Sequence, residues 1–181
     1  MAILPVLKAP HPRLTKVSRP VAQFDRALEE LAENMLETMY AANGIGLAAP
    51  QVDVHLRVVV MDLHQEDEPP APQILVNPEV LQASAETATM SEGCLSLPEA
   101  YEEVERPARV TVRYQDLDGV THTRECTGLE AVCWQHEIDH LDGVLFVDHL
   151  NRLKRDRIIQ RLVKEKRLAR RTRDGAVRPA A

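Results

Sequence analysis

The chain has 181 residues, 44% of them hydrophobic and only 3% aromatic, which is enough for one domain with a sizeable but mostly aliphatic core. Its net charge of -6 is unevenly spread: residues 151–181 hold 12 Lys and Arg against 3 acids, a local balance of +9, so residues 1–150 carry -15. An acidic body argues against nucleic-acid binding over the whole surface and leaves the basic tail as the one candidate.

The first stretch, MAILPVLKAPHPRL, has an apolar run interrupted by Pro5 and no cleavage site of small residues, so it is not expected to be a secretory signal. No segment approaches the roughly 20 apolar residues of a membrane span, and no membrane partner is expected. Three cysteines, an odd number without disulfide-like spacing, suit a reducing compartment, and the expected location is cytoplasmic.

Residues 24–44, FDRALEELAENMLETMYAANG, place Leu28, Leu31, Met35 and Met39 at spacings of three and four, with Asp25 as N-cap and Gly44 as the stop. This predicts a surface helix packed on one face, its methionines serving as core. Residues 44–51, GIGLAAPQ, follow as a loop whose two glycines permit close backbone approach to a ligand. Strands are predicted over 56–62, 73–81 and 84–90, with an acidic, proline-containing loop at 65–72. Residues 92–96, EGCLS, read as a second site loop between a strand and a turn at Pro98. A hairpin is predicted from 109–114 and 120–126 around Asp118-Gly119, a pair suited to a tight turn.

The stretch 135–143, QHEIDHLDG, contains H-E-x-x-H at His136, Glu137 and His140. Four helical residues advance about 400° and about 6 Å, so both imidazoles leave one face at adjacent turns and can grip one metal ion. Glu137 comes from about 60° round the same helix, close enough to act on a water at the metal without being a ligand. Thr127 with Glu130 fits a capping box and Gly143 a stop, framing a helix over 128–142. Ala131, Trp134, Ile138 and Leu141 fall on the far side, where they would bury. Leu129, Val132 and Cys133 lie within about 60° of His136 and continue the metal face as an apolar strip. Seen alone, a buried helix whose histidines merely satisfy hydrogen bonds is the bland alternative.

Helix, strands, helix and a terminal helix from about residue 151 describe an α+β domain, with antiparallel sheets packed around the central metal-binding helix. For a third ligand, Cys133 lies seven residues from His140, about 10 Å along the axis, and reads as pocket wall. Cys126 ends a predicted strand and faces an unset direction. Cys94, beside Gly93, is the freest to approach, and a carboxylate such as Glu92 stays open as an alternative.

GIGLAAPQ, EGCLS and QHEIDHLDG, in this order and at these separations, closely resemble the three motifs of the peptide deformylases, over most of residues 1–165. The resemblance implies a catalytic domain over 1–165 with a basic, flexible tail at 166–181. It implies hydrolysis of the N-formyl group from the initiator methionine of nascent chains, releasing formate. It further implies that Cys94, His136 and His140 hold one divalent metal, Fe2+ first, with Zn2+, Ni2+ or Co2+ as alternatives. Glu137 would be the general acid/base, and Gln51 and the Leu95 N–H would contact the formyl oxygen. Leu129, Val132 and Cys133, with Ile45, Gly46, Met90 and Gly93, would receive the methionine, whose peptide would pair with the Ile45 and Gly93 main chains.

Glu92 is expected to pair with Arg106 and brace the loop that carries Cys94. Where some relatives have an arginine after EGCLS, this chain has Tyr101 in the acidic run EAYEEVE. The rivals are a zinc endopeptidase, motivated by H-E-x-x-H alone, and a noncatalytic metal-binding or ribosome-associated module; intact Glu137 and Gln51 speak against the second. In the tail, residues 164–173 hold six Lys and Arg against one acid and should project into solvent, a candidate contact for ribosomal RNA.

Overall fold

One strand, β2 (Val58–Met61), is buried along its whole length because it is covered on both faces. The computed structural model describes residues 2–65 and 67–176, with side chains through Ala169. The strand's alternation sends Val58 and Val60 to one side and Val59 and Met61 to the other, into two separate apolar clusters. The first side is covered by α1 (Arg26–Ala41), through Leu28, Met35 and Met39, with Asp25 capping the helix by accepting from the Leu28 N–H. The second is covered by α2 (Gly128–Leu141), through Ala131, Trp134, Ile138 and Leu141. That is the far side of the helix expected to bury.

The main sheet is antiparallel, in the order β1-β2-β3-β6-β7, adding β1 (Gly46–Ala48), β3 (Gln73–Ala83), β6 (Arg109–Gln115) and β7 (Thr121–Thr127). A separate two-stranded ribbon pairs β4 (Thr87–Cys94) with β5 (Leu97–Pro107). A third cluster seats Leu97, Ala100 and Val104 of β5 on Phe146 and Val147, and on Leu162 of α3 (Arg152–Ala176). The architecture is the α+β arrangement expected, with sheets around α2 and a helix at the C-terminal end.

Local readings differ in four places. GIGLAAPQ is an edge strand at residues 46–48 followed by a 3-10 turn at Ala49–Val52, where a plain loop was expected. Glu92, Gly93 and Cys94 close β4 and belong to no loop, while Ser84 lies before that strand. β5 was not anticipated: Glu99 takes a left-handed φ of 56° and shifts its inward positions to Leu97, Ala100, Val104 and Arg106, which hides the period of two. The Asp118-Gly119 turn is a wider loop, in which Asp116 accepts from the N–H groups of Asp118 and Val120.

The capping box also fails to form. Thr127 is the N-cap residue but its side chain makes no capping bond, and Glu130 pairs with Arg124 at 2.9 Å. α3 runs through residue 165 without a break; the side chains of residues 170–176, and residues 177–181 altogether, lie outside the described residues.

One buried carboxylate ties α1, β2 and the 65–72 loop together. Asp62 accepts from the Tyr40 hydroxyl at 2.5 Å, from the backbone N–H and Nδ1 of His64 and from the Ala71 N–H. Burial would raise its pKa, but the Tyr40 and His64 bonds outweigh it and bring the carboxyl from 3.8 down to about 2. Asp62→Ala should cost about 3 kcal/mol in urea unfolding at neutral pH, since it strands several donors. Because the folded value is depressed, this stabilisation is present above the ordinary value of 3.8 and is lost as pH falls toward 2. The gap between wild type and variant should therefore close in acid.

Candidate active site

The apolar seat of α2 fixes its rotation, and so sets where its other face looks. His136 and His140 stand on that face with ring centroids 5.0 Å apart. The last turn of ribbon before β5 brings Cys94 to them, its Sγ 3.2 Å from His140 Nε2. One potential donor atom from each of Cys94, His136 and His140 lies within 4.8 Å of the others, the one such cluster among the described residues. Tetrahedral ligands at zinc-type distances stand about 3.5 Å apart, so small side-chain movements would close the set on one ion.

The chemistry of the donors fits a cation. Burial alone would raise the Cys94 pKa, yet the imidazoles of His140 and then His136 hold it well below the usual thiol range, in the ligating thiolate form. The other two cysteines behave oppositely. Burial pushes Cys126 up to about 11 and Cys133 up to about 12, leaving both as neutral thiols.

Glu92, the alternative ligand, is engaged elsewhere. Its Oε2 lies 2.8 Å from His136 Nδ1, and both its oxygens accept from the Arg106 fork, Nε at 2.5 Å and Nη2 at 3.0 Å. The expected Glu92–Arg106 pair is thus present and also orients a histidine, leaving Nε2 of that ring for the cluster. Glu137 keeps Oε2 buried with no hydrogen-bond partner among the described residues. Burial raises its pKa and the negative charges of Cys94 and Glu92 add to this, against the two imidazoles, so this carboxyl is suited to taking up and releasing a proton. Gln51 is held by its carbonyl, which accepts from the Ala48 N–H at 2.8 Å. Its Nε2 donates to Ser96 Oγ at 3.1 Å and lies 3.5 Å from Cys94 Sγ.

A cavity of about 420 Å³ opens over these groups. It is lined by Gln51, Cys94, Leu95, His136 and Glu137, and by Ile45, Gly46, Gly93, Leu129, Val132 and Cys133. His140 sits behind the wall, fully buried. Met90 does not line the cavity. It pairs with Val104 in the ribbon, and residues 91–94 reach the wall because β4 runs four residues past its expected end. Sequence reasoning also missed Lys8, which lines the cavity and donates to the Leu95 carbonyl at 2.5 Å. A lone lysine in an irregular N-terminal segment carries no signal of such a contact.

Donors of this kind beside a buried carboxyl suit the hydrolysis of an amide with water activated at a divalent ion, and the fold and site together define a metal-dependent hydrolase. The profile of the polypeptide deformylase family matches residues 3–156. A peptide deformylase of Phenylobacterium zucineum is 55% identical over 93% of this chain and 100% of its own length. The crystal structure of a peptide deformylase from Ehrlichia chaffeensis with actinonin superposes with a TM-score of 0.87 at 38% identity, covering 92% of this chain and 99% of that one. A Met-Ala-Ser-bound class I type b peptide deformylase from Acinetobacter baumannii gives 0.77 at 37% identity, covering 82% and 99%. The chain belongs to the polypeptide deformylase family. It is a metal-dependent enzyme that removes the N-formyl group from the initiator methionine of nascent polypeptides, releasing formate.

Gly46 shows how closely backbone and carboxyl approach, since a Cβ there would stand 2.5 Å from Glu137 Oε1. Gly46→Ala should fold but displace the Glu137 carboxyl and lower kcat/KM by about 100-fold, as misplacements of about 1 Å do. Thermal unfolding measured beside the kinetics will separate loss of geometry from loss of fold.

Proposed function

We propose that in this chain Cys94, His136 and His140 hold the divalent ion and that Glu137 moves the protons. Gln51 Nε2 and the Leu95 N–H would stabilise the oxygen of the formyl group. The observation that carries this reading is the meeting of a thiolate and two imidazoles within 4.8 Å, beside a buried carboxyl whose Oε2 has no hydrogen-bond partner among the described residues. Ferrous iron is the ion proposed, ahead of Zn2+, Ni2+ or Co2+, on the family resemblance and the mixed thiolate and imidazole donor set.

The ion, when bound, supplies Lewis acidity, lowering the pKa of water toward neutrality and polarising the formyl carbonyl. Glu137 takes the proton of the attacking water and later delivers one to the methionine nitrogen as it leaves. Gln51 keeps one amide proton on Ser96, and the other, now directed at Cys94, can be shared with the developing oxyanion without rotation of the amide. Leu129, Val132 and Cys133, facing Ile45, Gly46 and Gly93, receive the methionine side chain. β1 and β4 each present an edge without a partner strand among the described residues, and an extended peptide could pair with either at Ile45 or Gly93. The Met-Ala-Ser carried by the Acinetobacter baumannii relative supports an N-terminal methionine in this position.

Residues 1–165 form the proposed catalytic unit and 166–181 a basic extension, acting in the cytoplasm on chains still at the ribosome. Among the described residues no helix is long and apolar enough to cross a membrane, and residues 164–169 of α3 are exposed. Formate release from formyl-Met-Ala under anaerobic conditions, with the metal quantified in the same sample, tests the enzyme reading. Glu137→Gln should keep one ion per chain and lose about 100- to 10,000-fold in kcat. Loss of the ion from that variant would make Glu137 a ligand and overturn the assignment.

The tail is tested separately. A chain ending at Glu165 keeps the buried Leu162 and should cleave free formylated peptide normally. It should bind ribosomes more weakly than the full chain, whose binding should fall with salt as phosphate contacts are screened. Equal affinity of the two at low salt would leave the extension as a solvated helix end.

A further inference from the structure

From the cavity wall, where His136 and Glu92 stand, a closed ring of charged contacts runs back through α2 to the far side of the ribbon. His136 of α2 meets Glu92 of β4, Glu92 takes two N–H groups of Arg106 on β5, and Arg106 Nη1 returns to Asp139 Oδ2 of α2 at 2.8 Å. Arg106 is 4% exposed and Glu92 3%, so this guanidinium cannot turn to water for its remaining donors. Its rigid fork is held on two sides by two carboxylates. The ring is closed from outside by the 3-10 turn Phe146–His149. His149 Nε2 lies 2.7 Å from the same Asp139 oxygen, and Phe146 at the other end of the turn stacks on the His136 ring at 6.1 Å and 23°.

We propose that Asp139 and His149 are positioning residues for the metal centre. They fix the roll of the Arg106 fork, and through it the Glu92 carboxylate that sets which nitrogen of His136 is free and where its ring points. The inference rests on the ligand set proposed above. Two observations point to positioning beyond general packing. The contacts run without a gap from a ligand-bearing ring to a side chain at the surface, and His149 and Asp139 line a second cavity of about 210 Å³ on the far side of that ring. The same short turn also bears on His136 directly, so its attachment at His149 governs the Phe146 contact as well. Glu92 alone would leave the guanidinium hinged about one carboxylate, with Nη1 buried and unmatched.

The test uses the full chain loaded with Co2+, comparing His149→Leu, His149→Gln and Asp139→Asn. The readouts are the visible absorption of the bound ion, its release into excess chelator, and urea unfolding of the metal-free chain. His149→Leu and the nearly isosteric Asp139→Asn should each shift the Co2+ bands and speed release by about tenfold, the lower end of the effect of removing a ligand's outer partner. The unfolding midpoint of His149→Leu should change little, because its side chain is 36% exposed. His149→Gln, which restores an N–H donor, should recover most of the wild-type spectrum and release rate. A merely structural role would move the unfolding midpoint and leave the bands in place. Unchanged bands and release in both His149→Leu and Asp139→Asn would overturn the proposal. Cys94→Ser serves as the control on the ligand set: if it left the wild-type thiolate-to-cobalt absorption intact, the assignment of ligands would fail, independently of the outcome at His149.

Discussion

The site depends on a buried carboxylate meeting a buried histidine. Glu92 is 3% exposed, and an unpaired carboxylate there would cost several kcal/mol, so its burial requires Arg106, and Arg106 in turn requires Glu92. Once paired, the two can sit in only one relation to His136, which fixes the end of β4 against α2. Cys94 lies two residues further along the strand, and the alternation of side chains sends it toward the same helix. The thiolate is therefore delivered to the two imidazoles by the Glu92–Arg106 ion pair. Its depressed pKa follows from that placement, because the nearby imidazoles of His140 and His136 outweigh the burial.

The rotation of α2 is decided on its opposite side by apolar packing. Trp134 and Leu141 are fully buried, with Ala131 and Ile138 nearly so, and burial of a large side chain of this kind is worth about 1.5–3 kcal/mol. Trp134 Nε1 has no hydrogen-bond partner among the described residues, a penalty of about 1–3 kcal/mol that the packing of its large ring offsets. A hydrophobic seat can hold the polar face steady because it does not depend on the metal. On the proposed ligand set, the two imidazoles are aimed by that packing, while their distance to Cys94 is left to the ribbon.

The parts legible in the sequence were those written in local periodicity. H-E-x-x-H names its own geometry once the helix is granted, and the far-side positions of α2 follow from the same wheel. Asp25 capped as read. What could not be read depended on contacts between distant segments. β5 hides because a left-handed Glu99 breaks its alternation and because one of its inward residues, Arg106, is charged. Met90, expected in the pocket wall, stands outside it because the ladder with β5 carries the strand on to Cys94. The Thr127–Glu130 capping box failed because Arg124 on β7 offered Glu130 a charged partner. Asp139 and His149 gave no signal at all, since one fills a variable position of the motif and the other lies on a short turn after the helix.

The division of labour in the cavity follows from which groups are side chains and which are backbone. A wall of Leu129, Val132 and Cys133 can discriminate by size and polarity, so one apolar side chain can be read there with some strictness. Strand edges read only that a chain is extended, since main-chain N–H and C=O groups are the same in every residue. Exposed edges invite unwanted pairing, and here β1 is three residues long and β4 carries Gly93 under the ring of Tyr101, where a Cβ would collide with it. A short edge and a glycine under an aromatic ring limit a second sheet's approach while leaving room for a single peptide. On the proposed substrate pairing, the side-chain wall would read the methionine and the strand edges the backbone that follows it.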